Sequence, residues 1–140
     1  MTIDTIIESF GYLDDWEERY RYLIELGRDL PPFPDEARTA ANKVEGCASQ
    51  VWLLSRMQPS PEGSVLTFQG DSDAHIVKGL VALILAFYSG HTAREIATMD
   101  AGALLSDLGL SDHLTPQRSN GVRAMVQRIK AEAARALVTN

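Results

Sequence analysis

The sequence has very few residues that could cross-link the chain or hold a metal ion. It contains one cysteine, Cys47, which excludes an internal disulfide and a metal site built from several thiolates. The histidines, His75, His91 and His113, are far apart, whereas zinc ligands usually come at short, regular spacing. We therefore expect no metal site and no bound cofactor in this chain. A single unpaired cysteine is typical of a reducing compartment, so we expect the protein to be cytoplasmic.

The sequence also lacks an excess of positive charge and a long apolar run. It has 13 Lys and Arg against 19 Asp and Glu, a net charge of −6, whereas a nucleic-acid-binding surface needs a basic patch. The longest apolar run, residues 80–88, is much shorter than the roughly 20 residues that span a bilayer. The first five residues contain no basic segment of the kind that opens a secretory signal. These absences argue against nucleic acid and membrane as partners and leave protein partners open.

The sequence does contain enough apolar residues for one folded domain. Its 140 residues are 45% hydrophobic, which is ordinary for a single globular domain over residues 1–140. Apolar residues at helical spacing, together with capping signals, predict several helices. The helices are expected at residues 3–10, 14–27, 74–88 and 100–108, with a short helix from Thr92 and a last helix from Pro116 towards the C-terminus. Gly11 is predicted to stop the first helix. Capping boxes are predicted at the start of the second helix, from Asp14 and Glu17, and at the short helix, from Thr92 and Glu95.

Two β-strands are predicted in the middle of the chain. Residues 50–57 and 64–69 are rich in apolar side chains, and the segment 59–63 between them has the Pro and Gly of a turn. A third strand is expected near residues 42–45. Residues 70–73 are predicted to form a turn that caps the following helix. The fold class is therefore α+β, with a small antiparallel sheet of two to three strands packed by several helices.

Cys47 lies in a segment that is typical of a surface turn. It follows Gly46, a residue type that adopts backbone conformations closed to others. A lone thiol there can be a nucleophile, a carrier of one sulfur atom or a small buried hydrophobic side chain. Glu45 disfavours the thiolate and Lys43 favours it, so the sequence leaves the reactivity of Cys47 open.

Several blocks of sequence, in order and spread over most of the chain, resemble the SufE family of sulfur-acceptor proteins. The block around the cysteine is a modest signal alone, but together the blocks are specific. They are residues 16–20 (WEERY) with 24–27 (IELG), 44–52 (VEGCASQVW), 70–74 (GDSDA) with 76–80 (IVKGL), and 114–121 (LTPQRSNG).

The resemblance implies a sulfur carrier that works with a pyridoxal-phosphate-dependent cysteine desulfurase of the SufS type. The family cysteine at the position of Cys47 takes sulfane sulfur as a persulfide, and the carrier stimulates the desulfurase and passes sulfur to the scaffold that builds iron–sulfur clusters. The resemblance also implies a fold like that of iron–sulfur scaffold proteins, and family members often dimerise. The residues expected to support the cysteine loop or to contact the partner are Val44, Glu45, Gly46, Ser49, Gln50 and Arg118.

We further expect Cys47 to be tucked against apolar side chains in the isolated protein and to swing outward on docking. Val44, Val51 and Trp52 are the predicted lining. Because burial raises the pKa of a thiol, the resting protein would react slowly until its partner docks. Two other function classes remain open. One is a cysteine-dependent hydrolase, which requires a histidine next to Cys47, and the other is an adaptor whose cysteine is incidental.

Overall fold

The α+β architecture expected from the sequence is confirmed. The computed structural model of the protein describes residues 2–139, and in this range six α-helices pack around a three-stranded antiparallel sheet. Single turns of 3-10 helix at Asp35–Ala37 and Leu110–Asp112 join the larger elements. In chain order those elements are α1 (Ile3–Tyr12), α2 (Trp16–Arg28), β1 (Val51–Gln58), β2 (Val65–Ser72), α3 (His75–Tyr88), β3 (His91–Thr92), α4 (Ala93–Thr98), α5 (Ala101–Asp107) and α6 (Pro116–Thr139).

The sheet has the predicted hairpin but a different third strand. Strands β1 and β2 pair over their full length, from Val51 opposite Ser72 to Gln58 opposite Val65. The third strand is β3, which pairs with the first residues of β2. The strand predicted near residues 42–45 is wrong, because this segment makes only an isolated bridge between Lys43 and Trp52. The chain turns away immediately afterwards, at Glu45 and Gly46, so the pairing cannot extend.

The turn predicted at residues 70–73 is wrong over residues 70–72, because they continue strand β2. Gly70 is needed there for packing, since a Cβ atom at this position would lie 2.7 Å from Val81 Cγ1 of α3. Helix α3 then begins after Ala74, which offers no side-chain cap. The hydroxyl of Ser72 instead accepts a hydrogen bond from the Ala74 N–H at 3.3 Å.

The ends of the first two helices also differ from the prediction. Helix α1 continues through Gly11 to Tyr12, because a glycine within a helix is tolerated at moderate cost. Helix α2 is capped by Asp15 instead of Asp14, since the Asp15 carboxylate accepts a hydrogen bond from the Glu18 N–H at 2.8 Å. The capping box of Thr92 with Glu95 at the start of α4 is confirmed.

The most apolar stretch of the sequence forms the central helix, α3. It is buried from Gly79 to Leu85 and again at Tyr88, and it packs against α2 and β2. Helices α2 and α3 approach so closely that a Cβ atom at Gly79 would lie 2.2 Å from the Leu23 carbonyl oxygen. Within residues 2–139, none of the helices combines the length and the apolar character that a membrane crossing requires.

Candidate functional site

Cys47 lies on the loop of residues 45–49, called the Cys47 loop below, whose two ends are held by hydrogen bonds. At the first end the Val44 N–H donates to the Val51 carbonyl at 2.8 Å. At the second end the Gln50 N–H donates to the Asp73 carboxylate at 3.1 Å, and the Asp73 N–H donates back to the Gln50 carbonyl at 3.3 Å. Gly46, with φ of +92°, adopts the left-handed backbone that makes the sharp turn before Cys47.

The Cys47 side chain is half-buried and faces a pocket of about 330 Å³. Its thiol donates one long hydrogen bond, at 3.5 Å, to the Gly121 carbonyl of α6. Burial raises the pKa of the Cys47 thiol above its usual value, so the resting side chain is protonated at neutral pH. The residues that line the pocket with Cys47 are Ala48, Ser49, Ala74, His75, Ile76, Val77, Leu80, Thr115, Gln117, Arg118, Gly121 and Met125.

The structure places two of the predicted site residues, Ser49 and Arg118, in the wall of this pocket. Val44 is buried in the core, whereas Glu45 and Gly46 are exposed on the loop. Gln50 is exposed and its backbone joins the end of the loop to Asp73. The predicted residues are therefore together at one end of the molecule, some in the pocket and others in its supports.

The predicted lining of the cysteine, Val44, Val51 and Trp52, is wrong. The pocket wall comes instead from the first two turns of α3 and the first three turns of α6, through residues such as Ile76 and Met125. The signal that could have indicated these residues was already in the sequence. Three of the blocks that carry the family resemblance, residues 44–52, 70–80 and 114–121, meet around this pocket.

Comparison with known proteins decides the family. The family described as "SufE: Fe-S metabolism associated domain" matches residues 4–133. The chain belongs to the SufE family. An uncharacterised SufE-like protein of Rhizobium etli is 57% identical over 132 residues, which cover 94% of this chain and 89% of that protein. A second SufE-like protein, from Rhizobium meliloti strain 1021, is 54% identical over 132 residues and covered to 94% in both chains.

A solved structure has the same fold as this SufE protein. The solution structure of a hypothetical protein from Thermus thermophilus matches with a TM-score of 0.76 over 99% of both chains, at 21% identity. At that identity the match shows the fold alone. Membership of the SufE family gives the protein a role in iron–sulfur metabolism and implies a partner from an iron–sulfur pathway.

One of the histidines, His75, reaches the cysteine pocket of this SufE protein. His75 is exposed at the start of α3 and lines the pocket, but the Cys47 thiol donates to the Gly121 carbonyl and not to the imidazole. The other two histidines do not line the pocket. The His113 ring stacks on Trp16 with ring centroids 3.7 Å apart, and His91 Nδ1 lies 3.7 Å from a carboxylate oxygen of Glu95. In the described part of the chain, no group of three or more His, Cys, Asp or Glu side chains is placed to hold a metal ion.

Arg118 contributes the cationic side chain of the pocket. Its backbone N–H donates to the Thr115 hydroxyl at 3.2 Å, so Thr115 caps the start of α6. Among residues 2–139 its guanidinium forms no ion pair, unlike the arginines at positions 38 and 128. A half-buried arginine without an anionic partner beside a thiol is suited to meet a negative charge that arrives with another molecule.

Proposed function

We propose that Cys47 accepts one sulfane sulfur from the persulfide of a pyridoxal-phosphate-dependent cysteine desulfurase of the SufS type, stimulates that enzyme by removing its product, and delivers the sulfur to an iron–sulfur scaffold. Pyridoxal phosphate belongs to the partner, and this chain supplies the acceptor thiol. The scheme uses the single Cys47 of one chain, so it applies equally to a monomer and to a homodimer.

The chemistry is thiol exchange at sulfur. The Cys47 thiolate attacks the outer sulfur of the donor persulfide, an S–S bond forms at Cys47, the donor S–S bond breaks, and the donor cysteine leaves as a thiolate. In sum, a thiol and a persulfide become a persulfide and a thiol, with no net oxidation. The proton of Cys47 passes to the leaving thiolate or to water, so no further reactant is required.

The observation that carries this proposal is the pocket next to the Cys47 thiol. Its volume of about 330 Å³ is roughly ten times the share of space that one water molecule takes. A second sulfur atom therefore fits beside Sγ, where side chains of α3 and α6 partly shield it from stray thiols. Shielding matters because an exposed persulfide exchanges with other thiols.

The way the thiol is held supports transfer on docking. A single long hydrogen bond and apolar contacts keep Cys47 against α6, while the loop ends are held more firmly. We propose that docking draws the Cys47 loop outward without moving its ends. Removal from the pocket lowers the pKa of the thiol towards its ordinary value, so the Cys47 nucleophile is activated next to the persulfide of the docked desulfurase.

A cysteine-dependent hydrolase is the rival that His75 brings into consideration. A working Cys–His dyad joins the two side chains by a hydrogen bond and lowers the pKa of the thiol. Here burial raises the pKa of Cys47, and its hydrogen bond goes to a backbone carbonyl. These two features favour the carrier over the hydrolase.

Intact-protein mass spectrometry tests the proposal. The purified protein is incubated with a SufS-type desulfurase and cysteine, and we expect a gain of one sulfur atom that maps to Cys47. The matched control is Cys47→Ser, which keeps the fold but gains no sulfur. An unmodified wild-type protein beside a desulfurase that is itself persulfidated would contradict the proposal. Partner binding that survives Cys47→Ser, with no sulfur gained by the wild type, would select the adaptor.

A further inference from the structure

One face of α6 lies along the Cys47 loop and the segment that leads into it. Gly121 accepts the hydrogen bond from the thiol. One turn further on, Ala124 faces Gly46, where a Cβ atom would lie 3.4 Å from the Ala124 methyl group. Arg128 lies on the same face one turn beyond Ala124. Along this face of α6, Gly121, Ala124 and Arg128 therefore contact Cys47, then Gly46, and then the segment that precedes the loop.

Arg128 holds the segment before the loop through its backbone. Its Nη2 donates to the Ala41 carbonyl at 2.5 Å, and its Nη1 donates to the Lys43 carbonyl at 3.3 Å. Its Nε donates to Glu132 one turn along α6 at 3.0 Å, which fixes the direction of the guanidinium. The side chain is only 24% exposed, so these contacts are partly shielded from water.

The opposite side of the same segment is held by β1. The Asn42 carbonyl accepts a hydrogen bond from the Leu53 N–H at 2.9 Å, and the Val44 N–H donates to the Val51 carbonyl. Residues 41 and 42 belong to a turn, in which the Asn42 and Lys43 N–H groups both donate to the Thr39 carbonyl, at 3.2 and 3.0 Å. Arg128 takes the carbonyls of Ala41 and Lys43 while β1 takes the carbonyl of Asn42, so the segment is held by both elements immediately before it turns into the Cys47 loop.

We propose that Arg128 is a positioning residue for Cys47, which acts by pinning residues 41–43 to α6 so that the thiol stays in its pocket until a partner docks. The inference rests on the proposed function only in naming Cys47 as the acceptor. The planar guanidinium is suited to this task because its fork reaches two carbonyls at once, whereas a lysine ammonium is a single point donor.

The experiment measures alkylation of Cys47 by iodoacetamide in the free protein, as a function of pH, with no desulfurase present. In Arg128→Met we expect alkylation at neutral pH to be about tenfold faster, because the segment before the loop loses two charge-assisted hydrogen bonds. The pH midpoint should fall towards the value of about 8.5 of an ordinary thiol. The charged or titratable side chains on the Cys47 loop and around it, which include Lys43, Glu45, Asp73, His75 and Arg118, are unchanged, so the shift reports the position of Cys47.

Two further variants separate positioning from general stability. Arg128→Lys keeps the charge but reaches one carbonyl, so its rate and pH midpoint should fall between those of the wild type and Arg128→Met. Glu132→Gln removes the negative charge, but the Gln amide oxygen can accept the same hydrogen bond from Arg128 Nε and both carbonyl contacts remain, so it should behave as the wild type. Far-UV circular dichroism and urea titration show that each variant is folded.

Wild-type rates and midpoints in folded Arg128→Met would overturn the proposal, and so would an equal acceleration in Glu132→Gln. If Arg128→Met fails to fold, Arg128→Lys decides, and a wild-type profile in that variant also overturns it. Because the assay contains no sulfur donor, its failure leaves the sulfur-acceptor proposal standing. Failure of sulfur transfer likewise leaves the pinning of the loop standing.

Discussion

Two polar groups near the start of β1 are held in very different ways: the Asp71 carboxylate, which lies opposite Trp52, and the Cys47 thiol, which lies on the preceding loop. On one side, Asp71 of β2 forms ion pairs with Arg38 at 2.7 Å and with Lys78 at 3.3 Å. The Arg38 guanidinium also lies 4.9 Å from the centre of the Trp52 ring. On the other side, Cys47 has one hydrogen bond of 3.5 Å to a backbone carbonyl.

This difference separates two parts of the protein. The first, called the frame below, consists of the β1–β2 hairpin, α2 and α3, and the second, called the working group, is the Cys47 thiol. Charged pairs and close helix packing fix the hairpin, α2 and α3, because several strong contacts must break before any of them moves. The thiol is held by apolar walls and one weak hydrogen bond, which cost little to exchange for contacts with a partner. We infer that the ion pairs and close helix contacts stop at the Cys47 loop because this loop has to move when a partner docks.

The largest effect is expected from Gly79→Ala in the frame. The new methyl group would lie 2.2 Å from the Leu23 carbonyl oxygen, and backbone atoms cannot move aside cheaply. We expect a loss of about 3 kcal/mol or more in the free energy of unfolding, measured by urea titration. The control is Gly11→Ala, where no atom lies within 4 Å of the new methyl group. Equal stability of the two variants would show that α2 and α3 separate easily, against the view of a rigid frame.

The second effect concerns Asp71. Burial alone raises the pKa of this carboxyl, but Arg38, the Ser72 N–H and Lys78 together lower it below its usual value. A depressed folded-state pKa stabilises the protein above the ordinary carboxyl pKa of about 3.9, and this contribution is lost as the pH falls through the folded-state pKa.

Asp71→Asn should therefore lose about 2 kcal/mol at pH 7, and the gap to the wild type should narrow as the pH falls below about 4 towards the folded-state pKa. Urea titrations at pH 7 and at pH 3 measure both values. The matched control is Asp35→Asn, which removes the other carboxylate beside Arg38 at a position where the side chain is 96% exposed. A gap that stays constant with pH would mean that the charge of Asp71 is not what stabilises the frame.

The third effect belongs to the cysteine side of the comparison. Arg118→Ala removes a pocket side chain that forms no ion pair within the residues described, so the unfolding free energy should change by less than about 0.5 kcal/mol. Sulfur transfer from the desulfurase should fall about tenfold, since a charge-assisted contact with the partner is lost. Arg123→Ala, which lines a different pocket, is the control and should transfer normally. An unchanged transfer rate in Arg118→Ala would remove this residue from the site.

Much of the frame could be predicted from the sequence because its signals are local. The apolar run of α3, the Pro and Gly between β1 and β2, and the capping box at Thr92 each act within a few residues. The errors at Gly70 and at residues 42–45 have a different origin. In the sequence Gly70 is typical of a turn, whereas in the fold it allows β2 to pass close to α3, and such a tertiary contact leaves no local pattern.

The candidate site could be predicted in its centre but not in its walls. A solitary cysteine after a glycine, in a block of family resemblance, indicates Cys47 directly. The pocket, however, joins residues 47–49 to Leu80 and Met125, and Arg128 acts on Ala41 and Lys43 from the other end of the chain. These pairings depend on how α6 lies across the fold, which hydrophobic periodicity alone does not specify.

The smallest effect is expected from Gly121→Ala, a substitution of the same type as Gly79→Ala at the cysteine site. The new methyl group would lie 3.6 Å from Cys47 Sγ, which is an ordinary contact distance. Stability should stay the same or rise by up to about 1 kcal/mol, since alanine favours the helix over glycine. Alkylation of Cys47 should slow about twofold to fivefold, because the methyl group adds dispersion contacts to the resting thiol and these must break when it leaves. A large loss of stability would instead show that the Cys47 loop packs as tightly on α6 as α2 packs on α3, and the distinction between frame and working group would then fail.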